Sequence, residues 1–249
     1  MLFRSDRAAY HHPKHLLPFA NGCLNITENR LIPHDRKHGN NWSLPFDYDD
    51  SADCPSIQAF LADRLGEAEN VATYRAFLRS LLTGEHFKGF LEIVGGGDTG
   101  KTVLATIARA MVGGGNYAAG TLKRLEDQSQ RFETIRYRNK RLAVFSEAET
   151  YSGPVPVLKA MTGRDPVPAE VKNGRALEYI FTGAVLVVGN GPIRASDPSG
   201  ATINRRRTLY VERPVAPENQ RPMLAPDDRG GWSGELAERK TLALESTQH

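Results

Sequence analysis

The chain has 249 residues, a hydrophobic content of 40% and a formal net charge of +3. That length suits one large domain, or one domain with a small companion. Two cysteines argue against a disulfide framework, no apolar run is long enough to cross a membrane, and a charge so near balance does not by itself call for nucleic acid.

In chain order, residues 1–54 read as an irregular leading segment rich in turn formers. Its start, "MLFRSDRAAYHHPKH", lacks the apolar core of a signal peptide, so a cytoplasmic protein is expected. Asn21-Gly22 is a hairpin-type turn signal between short apolar stretches. Cys23, His34, His38 and Cys54 could in principle make a zinc site, though their spacing fits no common finger; ordinary thiols and loop histidines are the alternative. Residues 55–86 form a small helical unit. Pro55 opens a helix with Ile57, Phe60, Leu61 and Leu65 at helical spacing and Gly66 as its stop. Val71, Tyr74, Leu78 and Leu81 mark one face of a second helix, ended by Gly84.

Residues 87–212 carry the motif-bearing core. The apolar run from Phe90 stops at Gly95-Gly96-Gly97, passes Asp98-Thr99-Gly100-Lys101-Thr102 and continues with helical spacing to Gly113. Residues 123–141 are rich in bases, Lys123, Arg124, Arg131, Arg136, Arg138, Lys140 and Arg141 among them; a solvated surface and a nucleic-acid patch are both open. Strand candidates follow at 141–147, 177–183 and 184–190. The first and third are unbroken apolar runs closed by a polar residue, as buried parallel strands are, with functional groups at their C-terminal ends. Strands alternating with helices predict an α/β sandwich with a mostly parallel sheet. Residues 213–249 read as a Pro/Gly-rich linker, with "ELAERKTLALES" as a candidate terminal helix.

Four groups carry chemistry. Gly95 to Thr102 fits G-x-x-x-x-G-K-[ST] between a strand and a helix, the context this motif requires. Glycines let backbone N–H groups turn toward phosphate oxygens, and the helix adds its positive N-terminus. Lys101 is expected to reach the β- and γ-phosphates of ATP and the Thr102 hydroxyl to ligate Mg²⁺. Glu147 ends the strand at 141–147, where such an enzyme needs a carboxylate for the metal shell and the attacking water; Glu149 follows two residues on. Asn190 ends another buried strand, where an amide can touch the γ-phosphate. Arg205, Arg206 and Arg207 open a short apolar strand, where a guanidinium could serve a neighbouring subunit's site; a basic surface patch is the alternative.

With these parts in order, the chain resembles a superfamily 3 helicase of the phage and plasmid primase-helicase type. Ahead of the loop, the resemblance rests on Asn21-Gly22, Pro33-His34-Asp35, Leu44-Pro45, Tyr48-Asp49 and Cys54-Pro55. Beyond it, the matching points are Lys159, Thr162-Gly163, Asp165 and Lys172. The match runs over about residues 17 to 212. Thr99 stands where the family often has Asn, and Ser146 where an acidic residue is common. The resemblance implies a P-loop NTPase, AAA+-like three-layer sandwich, a hexameric homo-oligomeric ring, and ATP-driven movement along single-stranded or forked DNA in a bacterial or phage-infected cell. A primase would be supplied as a partner or in cis. It implies that Lys101 and Thr102 bind phosphate and Mg²⁺, Glu147 activates water, Asn190 senses the γ-phosphate, and Arg206 or Arg207 is the finger. Lys172 and Arg175 would flank a tight turn on a DNA-facing hairpin, where cations engage phosphates without reading sequence.

Two other readings use the same loop. One is a DNA-associated assembly or initiator module that binds ATP with little turnover, which Thr99 and Ser146 keep open. The other is a small-molecule kinase, against which stands the lack of an evident lid with paired arginines.

Overall fold

Along the chain, short apolar runs form first an antiparallel meander and then a buried parallel sheet. The computed structural model describes residues 15–40, 42–172, 174–196, 200–216, 225–226 and 232–233. The leading segment is less irregular than its composition predicts. It holds an antiparallel meander of β1 (Leu16–Phe19), β2 (Gly22–Asn25) and β3 (Arg30–Ile32). Strands of three or four residues are too short to display an alternating pattern. The first turn is Ala20–Asn21, with Phe19 already paired to Gly22. Asn21 owes its place to a clamp: its side chain donates to Tyr48 O (3.0 Å) and accepts from Tyr48 N (2.8 Å). No zinc site assembles. Cys23 Sγ lies 3.4 Å from His34 Nδ1 and accepts from Asn40 Nδ2, but no group of three or more His, Cys, Asp or Glu able to hold a metal exists among the described residues.

The two expected helices follow as α1 (Pro55–Leu65) and α2 (Ala68–Thr83), and Gly84 caps the second in the left-handed region. Then come β4 (Phe90–Val94), α3 (Lys101–Val112), β5 (Tyr117–Thr121), the short α4 (Leu122–Glu126), β6 (Leu142–Ser146) and α5 (Pro156–Gly163). A hairpin of β7 (Pro166–Ala169) and β8 (Leu177–Ile180) precedes β9 (Ala184–Gly189), α6 (Ala201–Arg205) and β10 (Arg206–Tyr210). The sheet order is β10-β4-β9-β6-β5, with every neighbouring pair parallel. The run at 177–183 therefore does not join the main sheet; it is the outer arm of the hairpin.

The fold is an α/β sandwich of three layers. Alternation along β4 sends Leu91 and Ile93 to one face and Phe90 to the other. On the first face they pack with Leu61, Leu78, Leu81, Leu104 and Ala108 of α1–α3, in a buried cluster that continues into Leu17, Phe19 and Leu24 of the meander. The second face buries Phe145, Val185 and Val187 against Leu158 and Met161 of α5 and Val167 of the hairpin. The leading segment, helical unit and parallel sheet thus share one core cluster. A buried arginine ties them: Arg141 donates to the carbonyls of Leu81 (2.9 Å) and Leu82 (2.6 Å) and lies over the Trp42 ring at 4.4 Å. It satisfies carbonyls that the end of α2 would otherwise leave without partners.

Past β10 the chain is ordered against the loop of residues 95–100 before it leaves the described residues, which the linker reading did not anticipate. A two-residue antiparallel pair joins Ala225–Pro226 to Trp232–Ser233. The candidate terminal helix at 235–246 lies outside the described residues. Among the described residues no helix is long and apolar enough to cross a membrane.

Candidate functional site

The C-terminal ends of β4, β6 and β9, adjacent in the sheet, deliver the sequence-singled residues to one edge. In an open parallel sheet this edge is where ligands bind. β4 gives way to Gly95, whose N–H donates to Gly189 O at the end of β9 (3.3 Å). The loop turns through left-handed backbone at Asp98 (φ 54°) and Gly100 (φ 93°). Thr99 is buried and donates its hydroxyl to Gly96 O (3.1 Å). Gly96 and Gly97 face open space: a Cβ added to either meets no atom within 4 Å.

Helix α3 starts at Lys101 with no side chain capping its N-terminus. Its first-turn N–H groups are therefore uncommitted, and together with the glycine loop they fit a phosphate chain. Lys101 Nζ bends back to donate to Gly96 O. Burial lowers the Lys101 pKa from its ordinary value, and the carboxylates of Glu149 and Asp98 pull it partly back up. Thr102 is exposed at the second helical position. The donor set for Mg²⁺ is sparse: Thr102 and Glu147 belong to no metal-holding group of acidic or histidine residues among the described residues. That suits an ion that arrives on a triphosphate and keeps several waters.

The two carboxylates after β6 part company. Glu147 is exposed with left-handed backbone (φ 54°, ψ 35°), and its carbonyl accepts from Thr150 N and Thr150 Oγ1. The Glu147 side chain makes no hydrogen bond or ion pair among the described residues. Glu149, half-buried in the 3-10 turn Ala148–Thr150, faces inward: its Oε1 accepts from Asn190 Nδ2 at 3.1 Å. Its Oε2 is shielded from solvent with no hydrogen-bond partner, and a Cβ placed on Gly189 would stand 2.4 Å from it. Asn190 therefore meets Glu149 rather than Glu147.

The arginine run divides among three environments. Arg205 donates to Lys159 O (2.6 Å). Arg206 pairs with Glu92, a residue 1% exposed in the middle of β4. Arg207 is exposed and, among the described residues, bonds to the nearby carbonyls of Asn204 and Arg206. A glutamate inside "FLEIV" was the readable sign that β4 holds a buried polar network; its partner at Thr208 is 116 residues away.

Lys172 and Arg175 are exposed at the tip of the β7–β8 hairpin; Asn173 between them lies outside the described residues. The hairpin is braced at its root: Tyr179 Oη donates to Thr134 O (2.6 Å), Thr134 Oγ1 donates to Pro168 O (2.7 Å), and Arg131 pairs with Glu170 (2.6 Å). The segment after β10 passes over the glycine loop. Val215 N donates to Asp98 O (2.8 Å), and Arg64 of α1 holds Arg213 O (2.8 Å).

Comparison with known proteins divides the chain in two. Residues 4–66 match the family described as D5 N terminal like. Residues 93–207, which include every group just described from Gly95 to Arg207, match a family of unknown function (DUF5906). Among solved structures, the chain is similar to the apo A form of the NrS-1 C-terminal region, with a TM-score of 0.55, 15% identity, and coverage of 80% of this chain and 48% of that one. The apo A form of NrS-1 CTR(305-718) gives a TM-score of 0.52 and 16% identity over 81% of this chain and 45% of that one. The chain spans about half the length of the solved chains it matches, and at this identity the likeness is one of fold.

Proposed function

We propose that this protein is an ATP-dependent DNA helicase or translocase that acts in replication of a phage, plasmid or integrated element. The observation that carries the reading is that the loop leading to Lys101, the turn holding Glu149, and Asn190 follow the ends of three adjacent parallel strands, with Asn190 hydrogen-bonded to Glu149. The match of residues 4–66 to the D5 N terminal like family falls on the stretch whose motifs resemble the pre-motor segment of phage and plasmid primase-helicases, which supports the replication context.

In this reading Gly95, Gly97, Asp98, Thr99 and Gly100 wrap their backbone around the phosphates, Lys101 holds the β- and γ-oxygens, and Thr102 holds Mg²⁺. ATP supplies the free energy by transferring its γ-phosphoryl group to water. A carboxylate of the 147–149 turn orients that water, and Asn190 reports the γ-phosphate. Arg207 has the exposure that a finger acting on a neighbouring subunit needs, so the working form is a homo-oligomeric ring, hexameric by the resemblance. Lys172 and Arg175 face the DNA backbone. Steady-state ATP hydrolysis, with and without single-stranded DNA, tests the reading. DNA-stimulated turnover that disappears in Lys101→Ala supports it; turnover unchanged in that variant removes the site assignment. Ser146, exposed at the end of β6 where an acidic residue would strengthen the metal site, favours the second reading of an ATP-binding assembly module. That module would bind ATP and oligomerise in the same experiment without turnover.

A further inference from the structure

We infer that Glu149, held by Asn190, is the carboxylate that receives the proton of the attacking water, and that Glu147 is not. The inference rests on the ATPase reading above and assigns one of its roles to a different residue.

The backbone supplies the first argument. A non-glycine residue in the left-handed region costs on the order of 1 kcal/mol or more, and such strain persists where the surroundings demand it. At Glu147 it does two things: it sends Ala148 into the core, where that residue is fully buried, and it returns the chain over β9 so that Glu149 lies on Gly189. Glu147 stays on the solvent side of the bend.

Hydrogen bonding also separates the two carboxylates. Asn190 Nδ2 satisfies Glu149 Oε1 at 3.1 Å and fixes the plane of the carboxylate. Oε2 is shielded from solvent without a donor. A buried acceptor left unpaired costs about 1–3 kcal/mol, so Oε2 gains by turning out to meet a donor. With the carboxylate turned toward the glycine loop, a water held between Oε2 and the γ-phosphorus satisfies that acceptor. As its oxygen bonds to phosphorus, its proton passes to Glu149. The bond between the γ-phosphorus and the bridging oxygen breaks, and the electron pair leaves on ADP.

The test uses the full chain and four measurements: kcat for ATP, Kd for a fluorescent ATP analogue, melting temperature, and rescue by formate. Glu149→Gln is expected to lose about 10²–10⁴-fold in kcat with Kd within about threefold of the unmodified protein, and Glu147→Gln to lose less in kcat than Glu149→Gln. Formate is expected to restore part of the turnover of Glu149→Ala, which a merely structural role would not produce. Loss of turnover in Glu147→Gln with Glu149→Gln active overturns the inference and leaves the ATPase reading standing. So does a Glu149→Ala that melts early and ignores formate. An unmodified chain without turnover removes the ATPase reading and this inference together.

Discussion

Arg206 Nε lies 3.6 Å from Glu92 Oε2, on the face of the sheet opposite the one Arg207 points to. The carboxyl group of Glu92 also accepts from Ile193 N (2.7 Å) and from Thr208 Oγ1 (2.7 Å), so β4, β10 and the loop after β9 meet at one buried group. Removing the cation leaves that group under-partnered in the sheet. Arg206→Ala is expected to cost about 2 kcal/mol of unfolding free energy. Arg207→Ala, exposed, is expected to cost less than about 0.5 kcal/mol while lowering DNA-stimulated kcat by about 10³-fold. Urea unfolding and ATP hydrolysis of the two single variants separate the roles. A fully stable Arg206→Ala would contradict the network, and an active Arg207→Ala would remove the finger assignment.

The loop glycines divide in the same manner between fold and ligand. A Cβ on Gly95 would stand 2.0 Å from Val211 O and 3.0 Å from Thr99 Oγ1. Gly95→Ala therefore has to push the strand end off the segment that follows β10, and a loss of 2 kcal/mol or more is expected, on the order of other overpacked sites. On Gly96 the added methyl meets nothing within 4 Å. Gly96→Ala is expected to keep the unmodified protein's urea midpoint and, on the proposed nucleotide site, to weaken ATP-analogue binding by filling open space beside the loop. Equal stability of the two variants would show that the Val211 contact carries no weight.

How far these features could be read from sequence depended on their range along the chain. The Gly95–Thr102 loop was legible because strand, turn and helix N-terminus are contiguous, and the motif encodes all three. Asn190 was legible as the polar end of an unbroken apolar run. Tyr117–Thr121 and Pro166–Ala169 were not, since "YAAGT" lacks a β-branched run and prolines in "PVPA" mask a strand that forms only against Leu177–Ile180. Glu147 outranked Glu149 in the sequence because position after a strand is visible there and a left-handed bend is not. Arg141 looked like one base among many in a basic stretch. Its function as a clamp needs Trp42 and the end of α2, about 60 residues away.

Buried tyrosines set the alkaline limit of stability. Burial pushes the Tyr179 hydroxyl up to about 12 and raises those of Tyr74 and Tyr137 further. Each donates a hydrogen bond, to Thr134 O, Leu104 O and Glu133 Oε1 respectively. A hydroxyl whose pKa is raised on folding holds its proton in the native state after the unfolded chain has released it near pH 10. Stability is therefore full below pH 10 and falls as pH rises above it. Arg141, lowered to about 10 by burial and by Arg164, has the opposite sign and offsets part of the loss. The urea midpoint is expected to drop between pH 10 and pH 12, and Tyr179→Phe to flatten that slope. An unchanged slope in the variant would mean that the Tyr179 hydroxyl titrates alike in both states.

The hairpin tip separates the translocase reading from the others. Lys172 and Arg175 are exposed, and the arm below them is braced by Tyr179, Thr134 and the Arg131–Glu170 pair, so the tip presents two cations on a braced hairpin. Cations that neutralise phosphates release counterions, and each contact adds about 0.7 to the slope of log affinity against log salt for a single strand. Lys172→Ala with Arg175→Ala is expected to reduce that slope by about 1.4 per subunit engaged. Binding should weaken alike on all single-stranded sequences, and DNA stimulation of ATP hydrolysis should fall with basal turnover intact. Fluorescence anisotropy over a salt series, beside the ATPase assay, reads both. A slope that does not change would move the DNA contact away from the hairpin. The basic residues at 123–141 would then be next to test, where Arg124, Arg131 and Arg136 line an open depression of about 500 Å³ beside Phe132.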